Sequence, residues 1–450
     1  MVRLKEHPTV QHYQAQTWED KSDDLRTKNA RISAESLRQL CIEAGADDVG
    51  FVEIGRPALD DQRDDILNAL PGTKTLISFV VKMNREPIRT PARSIANLEF
   101  HSVGHDVNET GRHIVRQLEA RGIRALNPAM GFPMEMESFP GKIWVVSHKP
   151  VAVAAGLGKI GIHRNVIHPK FGNFILLGTL LMEAEVTDVG KPVDFNPCLE
   201  CKLCVAACPV GAIGPDGHFD FASCYNHNYR EFMSGFTNWV ENVADSKDAR
   251  EYRQKVDDRD SASMWQSLSF GANYKAAYCL SVCPAGEDVI GPFLENRKAF
   301  LKDVVKPLQD KEEPVYVLRH SDAEAHAQKR FPHKETRIIT NSLRPRSIEG
   351  FLRGISLTFQ RHQSKDIDAT YHFRFTGKES KEATIHIRNK TLVVEDGLVG
   401  DADLFVTADS ETWLKFLAQD ANIVWAIVRR KVRVKGPLSL LKAFARCFPN

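Results

Sequence analysis

No stretch of this 450-residue sequence is long and apolar enough to suggest a membrane span. The longest apolar run, Phe174 to Met182, is broken by Gly178 and Thr179 and falls far short of the ~20 residues a spanning helix needs. Residues 1–30 are polar, with neither the apolar core of a signal peptide nor a twin-arginine signal. A cytoplasmic protein without a transmembrane segment is therefore expected. Charge of one sign is missing too: 60 Lys and Arg stand against 58 Asp and Glu. So near-neutral a balance gives no reason to expect nucleic acid or an acidic membrane as partner, and no nucleic acid is expected. No Ser/His/Asp set and no paired carboxylates stand out, so hydrolytic chemistry has no support. Cysteine is also scarce, at nine residues. In a reducing compartment those few are more often metal ligands or catalysts than disulfides.

What is present reads as an α+β protein. Residues 1–30 suit a disordered arm. From Ser33, which can cap a helix carrying Leu37, Leu40 and Cys41, helices alternate with strands at Val49–Ile54 and Thr75–Val81. Asp106 can cap a further helix with Val107, Ile114, Val115 and Leu118 inside and Gly122 as its stop. This layered pattern covers 31–190. Residues 191–297 hold clustered cysteines and short elements, and the charged stretch 298–336 suits a linker. A last unit, 337–450, alternates Tyr371/Phe373/Phe375, Ala383/Ile385/Ile387 and Leu404/Val406/Ala408 on strands between helices. Cys41 and Cys447 sit among apolar neighbours and read as small core residues.

The sharpest pattern is Cys198-x2-Cys201-x2-Cys204-x3-Cys208-Pro209. Thiolates at this spacing converge from one loop onto an iron–sulfur cluster, and the fourth cysteine of such a run ligates a second cluster. Structural zinc would take separated pairs instead. Wired by that rule, Cys198, Cys201, Cys204 and Cys283 hold one cluster. Cys208, Cys224 and Cys279 are left for the other. A second half of the same form would put an eighth cysteine at position 276, where the chain has Ala276. Two 4Fe-4S clusters are expected, the second either a three-iron cluster or a four-iron cluster with a ligand other than cysteine.

Gly156-Leu157-Gly158-Lys159-Ile160-Gly161 spells G-x-G-x-x-G, but Pro169 and a strand-like Phe174–Met182 follow. The βαβ context of a dinucleotide site is absent. The stretch AAGLGKIGIHRNVIHPKFGNFILLG with FNPCLECKLCVAACPVGAI instead resembles the corrinoid-dependent iron–sulfur reductases, which comprise the reductive dehalogenases and epoxyqueuosine reductase. The resemblance runs from about 31 to 290. It implies a nitroreductase-like core binding base-off cobalamin, with a dicluster ferredoxin-like insert feeding the cobalt. It also implies that Gly156, Gly158 and Gly161, with His163, bring backbone close to the corrin. The family's acidic proton donor would lie near Lys142, yet no Asp or Glu occurs between Ser138 and Gly161. Lys142 and His148 are therefore the candidate proton donors. Gly161-Ile162-His163 also departs from the Gly-Lys-Asn of epoxyqueuosine reductases.

Residues 340–450, through DADLFVTADSETWLKFLAQDANIVWAIVRRKVRVKGPLSLLKAFARCF, resemble the sterol carrier protein 2 (SCP2) domain, which implies a lipid-binding α+β unit. The expectation is a reductive-dehalogenase-like reductase that takes a small apolar organic or lipid-like substrate. Its electrons would come from an external donor of ferredoxin or flavodoxin type. The alternative is a dicluster electron carrier without corrinoid, fused to a lipid-binding module.

Overall fold

The computed structural model describes residues 10–11, 31–138, 143–198 and 200–449. Apart from Val10 and Gln11, the arm expected over 1–30 lies outside them. The first layer structure is built on four strands, β1 (Asp48–Glu53), β2 (Thr75–Lys82), β3 (Ala125–Leu126) and β4 (Ile175–Met182). They run in the order β1-β2-β4-β3, antiparallel throughout. β2 and β4 are the central pair, covered on both faces, which is why they read as continuous apolar runs. Gly178 of β4 pairs with Phe79, and a Cβ there would come within 2.1 Å of the phenyl ring. Helices α1 (Ala34–Glu43) and α2 (Arg93–Glu119) cover one face, burying Leu37, Cys41, Val107 and Ile114 against Phe51, Ile77 and Phe79. Helix α3 (His148–Ala154) covers the other with Val151 and Ala154. The expected helix start at Asp106 is corrected: α2 begins at Arg93, just past Pro91 and Ala92, so Asp106 lies in its interior.

The cysteine-rich part is helical. Its elements include α4 (Leu203–Ala207), α5 (Phe221–Asn228), α6 (Met233–Ala244), α7 (Asp258–Phe270) and α8 (Tyr278–Ser281). Residues 298–336, expected as a linker, are folded. Three short helical turns over 297–310 lead to β5 (Pro314–Leu318), α9 (Asp322–Arg330) and β6 (Glu335–Ile339), with β5 and β6 parallel. Leu308, Val315, Val317, Ala323 and Ala327 share one core with Leu203, Cys204, Cys208 and Tyr278. The charges that suggested a linker belong to the outer faces of these elements, with one exception. Lys334 and Glu313 are buried together at 2.9 Å, and the Tyr278 hydroxyl donates to the same carboxylate at 2.7 Å.

The C-terminal unit begins with α10 (Ile348–Thr358). A five-stranded sheet follows: β7 (Ala369–Thr376), β8 (Lys381–Arg388), β9 (Thr391–Asp396), β10 (Leu404–Asp409) and β11 (Val432–Lys435). Its order is β9-β8-β7-β10-β11, parallel only between β7 and β10. The three alternating triplets all point inward, against Trp413, Phe444 and Cys447. A wholly buried Gln360 joins this unit to the rest. Its amide nitrogen donates to Asp220 at 3.2 Å, and its amide oxygen accepts from the Asp322 N–H at 2.8 Å.

Candidate functional site

The glycine loop folds as a hairpin, Lys159–Ile160 pairing with Val166–Ile167. Its glycines face the chain itself. Gly156 has φ +84°, and an added Cβ would lie 2.6 Å from the Lys191 carbonyl oxygen. At Gly158 the obstacle is the Ile167 carbonyl oxygen, 2.4 Å away, and at Gly161 it is the Ile167 side chain at 2.7 Å. Internal packing therefore accounts for Gly156 and Gly158, whose obstacles are backbone carbonyls, whereas Gly161 meets only side chains. The hairpin touches the cysteines directly, for the Ile162 N–H donates to Cys198 Sγ at 3.2 Å. His163 is buried at its tip, with Nδ1 accepting from the Asn165 N–H at 3.1 Å. Burial, with Lys149 adding to it, pushes the His163 ring down to about 4.

Beneath the hairpin, Cys198, Cys201, Cys204 and Cys283 line one small pocket with Ile162, His163 and Pro284. Cys224 and Cys279 lie next to each other and to Cys208, so all seven expected cysteines assemble as two adjoining groups. Burial pushes the Cys279 and Cys283 thiols up to about 12. Buried thiolates need a positive centre to exist, and a metal core supplies it while displacing their protons. Seven cysteines gathered in two groups are the donors that two iron–sulfur clusters take. The donor set fits such clusters.

Lys149 was not singled out by the sequence, yet its positive charge faces Cys279 and Cys224. Its ammonium is held by the Arg164 carbonyl at 2.7 Å and Asn165 Oδ1 at 3.2 Å. Beside it, Tyr229, Phe232 and Tyr274 form an aromatic wall with ring centroids 5.0 to 5.6 Å apart, and Tyr229 reaches the Cys224–Cys279 side. Tyr225, Asn226 and His227 are buried in α5. Both side-chain polar atoms of Asn226 are without a partner. Aromatic faces and unspent amides of this kind suit a flat, amide-rimmed cofactor such as a corrinoid.

His148 is corrected as a proton donor. Its Nε2 faces the Ala129 carbonyl oxygen at 3.1 Å and so carries the proton, while Nδ1 accepts from the Thr179 hydroxyl at 2.9 Å. Both ring nitrogens are engaged, and burial holds the ring below its usual range. Lys142 lies outside the described residues.

Residues 191–214 match the 4Fe-4S binding domain family, and residues 358–449 match the SCP-2 sterol transfer family. The chain carries a 4Fe-4S domain and an SCP-2 domain. Curated relatives that it matches include epoxyqueuosine reductases. That of Gloeobacter violaceus is 29% identical over 165 residues, covering 37% of this chain and 49% of the relative. That of Vibrio cholerae is 26% identical over 225 residues, covering 43% and 58%. The chain thus spans about half the length of these two relatives. The likeness to the corrinoid-dependent iron–sulfur reductases, read from the cysteine run and glycine loop, holds at the level of sequence. Among solved structures, an epoxyqueuosine reductase with a tRNA-Tyr epoxyqueuosine-modified stem loop aligns at 15% identity over 66% of this chain and 75% of that one, TM-score 0.37. A reductive dehalogenase described as B12-dependent aligns at 17% over 56% and 37%, TM-score 0.36.

The sequence relatives correct the expectation of a small apolar substrate without nucleic acid, since they are named as epoxyqueuosine reductases. Net charge misled because it averages over the whole chain, whereas nucleic-acid binding needs only a local basic surface. No helix among the described residues is long and apolar enough to cross a membrane.

Proposed function

We propose that this chain is an iron–sulfur reductase that works with a corrinoid on a modified nucleoside carried in RNA, as the names of its relatives suggest. What carries the reading is the convergence of seven cysteines into two adjoining groups, the second beside an aromatic cluster. Cys198, Cys201, Cys204 and Cys283 would hold one cluster, and Cys208, Cys224 and Cys279 the other. When bound, the clusters relay single electrons from an external donor of ferredoxin or flavodoxin type, and the corrinoid supplies the reductive chemistry. The protein's own part is positional. Lys149 offsets negative charge at the second group. Tyr229, Phe232 and Tyr274 offer faces for a corrin or a splayed base. Lys142 is the proposed proton donor, since His148 has both ring nitrogens engaged.

The test is anaerobic reconstitution with iron, sulfide and hydroxocobalamin, followed by metal analysis and binding of an epoxyqueuosine-modified stem loop. The expected result is about seven or eight irons, bound cobalt and retention of the stem loop. Four irons or fewer, or stoichiometric zinc, would contradict the two-cluster assignment. Intact clusters without cobalt would leave the second reading, a dicluster electron carrier.

A further inference from the structure

The two cysteine segments repeat one backbone turn. In each, a non-glycine residue takes left-handed φ, Lys202 at +51° and Ala277 at +46°. A short helix follows whose second residue is a cysteine, Cys204 in α4 and Cys279 in α8. A Cys-Pro pair comes next, Cys208-Pro209 and Cys283-Pro284. Left-handed backbone is uncommon for residues with a Cβ, so its recurrence in the same register marks one local structure used twice. Aligned on it, Cys201 falls on Ala276 and Cys198 on Asn273.

Cys224, brought in by α5, stands with Cys208 and Cys279 and makes up for the cysteine missing at Asn273. Among the described residues no cysteine makes up for the one missing at Ala276. That residue is buried and fixed in place. Its N–H and that of Ala277 both donate to Asn228 Oδ1 at 3.0 Å, and its carbonyl accepts from Arg93 at 2.7 Å. The two remaining cysteines, Cys41 and Cys447, lie in other cores. Lys149 is occupied by Arg164 and Asn165.

We propose that the cluster held by Cys208, Cys224 and Cys279 has one iron corner, at Ala276, with no thiolate from the protein, and that this iron leaves on one-electron oxidation. The statement rests on the two-cluster reading above. The step balances: [4Fe–4S]2+ gives one electron to an added oxidant, ferricyanide, and one Fe2+ to solvent, and [3Fe–4S]+ remains.

The experiment counts iron and records the EPR spectrum of the reconstituted full chain before and after ferricyanide. In wild type about eight irons should fall to about seven with a three-iron signal, and Ala276→Cys should keep about eight without it. A second measurement needs no variant: ferrous iron-57 returned under reduction to oxidised wild type should enter a single site, with a Mössbauer signature unlike that of the thiolate-bound irons. The proposal is overturned if oxidised wild type keeps all its iron and shows no three-iron signal, or if Ala276→Cys releases iron as readily as wild type. Four irons or fewer before oxidation would instead sink the two-cluster reading, and this inference with it.

Discussion

His227 shows how far burial alone can move a residue. It lies wholly inside α5's packing, with Nδ1 accepting from the Tyr316 N–H at 3.3 Å. Burial pushes it down to about 3, since the attraction of Glu313 is outweighed by desolvation together with Lys275, Lys334 and Lys311. An unfolded histidine titrates near ~6.5. Between that value and the folded one, the unfolded chain takes up a proton that the native chain refuses. Stability is therefore intact above about 6.5 and falls as the pH falls through this window, by a few kcal/mol at most. Urea midpoints of the cofactor-free protein should drop from pH 7.5 to pH 5, and His227→Gln should flatten that drop. An unchanged slope in the variant would mean that His227 is not a source of the acid sensitivity.

At the scale of elements, the glycine hairpin makes a prediction that separates two reasons for a glycine. Gly158→Ala puts a Cβ on the Ile167 carbonyl in a left-handed backbone. It should distort the hairpin, loosen the Ile162–Cys198 contact and lower iron content. Gly161→Ala meets only the flexible ends of Ile167 and His163 and should be milder. If Gly158→Ala keeps its iron but loses cobalt uptake, the loop faces a corrin after all. The same hairpin marks where reading from sequence stops. The cysteine run was legible because its information is local: spacing along the chain fixes which thiolates can meet. The glycine loop was equally visible, but a glycine records only that something comes close, not what. The 298–336 stretch was misread because exposed charges on short helices look like a linker until the buried Val315, Val317 and Leu308 are seen. The strands of the last unit were legible because one face is buried and side chains alternate. Lys149 gave no signal, since a lone lysine becomes notable only when cysteines more than fifty residues away surround it.

For the molecule as a whole, Gln360 is the joint between the cysteine-rich part and the SCP-2 domain. Asp220, which accepts from its amide, also caps the helix that carries Cys224. Gln360→Ala would leave a buried carboxylate and the Asp322 N–H short of a partner, a loss of about 1–3 kcal/mol. We expect faster proteolysis in the 340–360 segment with the secondary structure retained. A cleavage rate equal to wild type would show that the joint bears no strain of this kind. The clamp of Lys334 on Glu313 and Tyr278 has a different kind of consequence, one of timing. Tyr278 stands next to Cys279, but Lys334 is translated about fifty residues after the last cysteine of the set. At about 5–20 residues per second, the lysine that completes this clamp is added seconds after the last of the thiols. The cysteine set is therefore complete in the chain before the contact that fixes Tyr278, the neighbour of Cys279, can form.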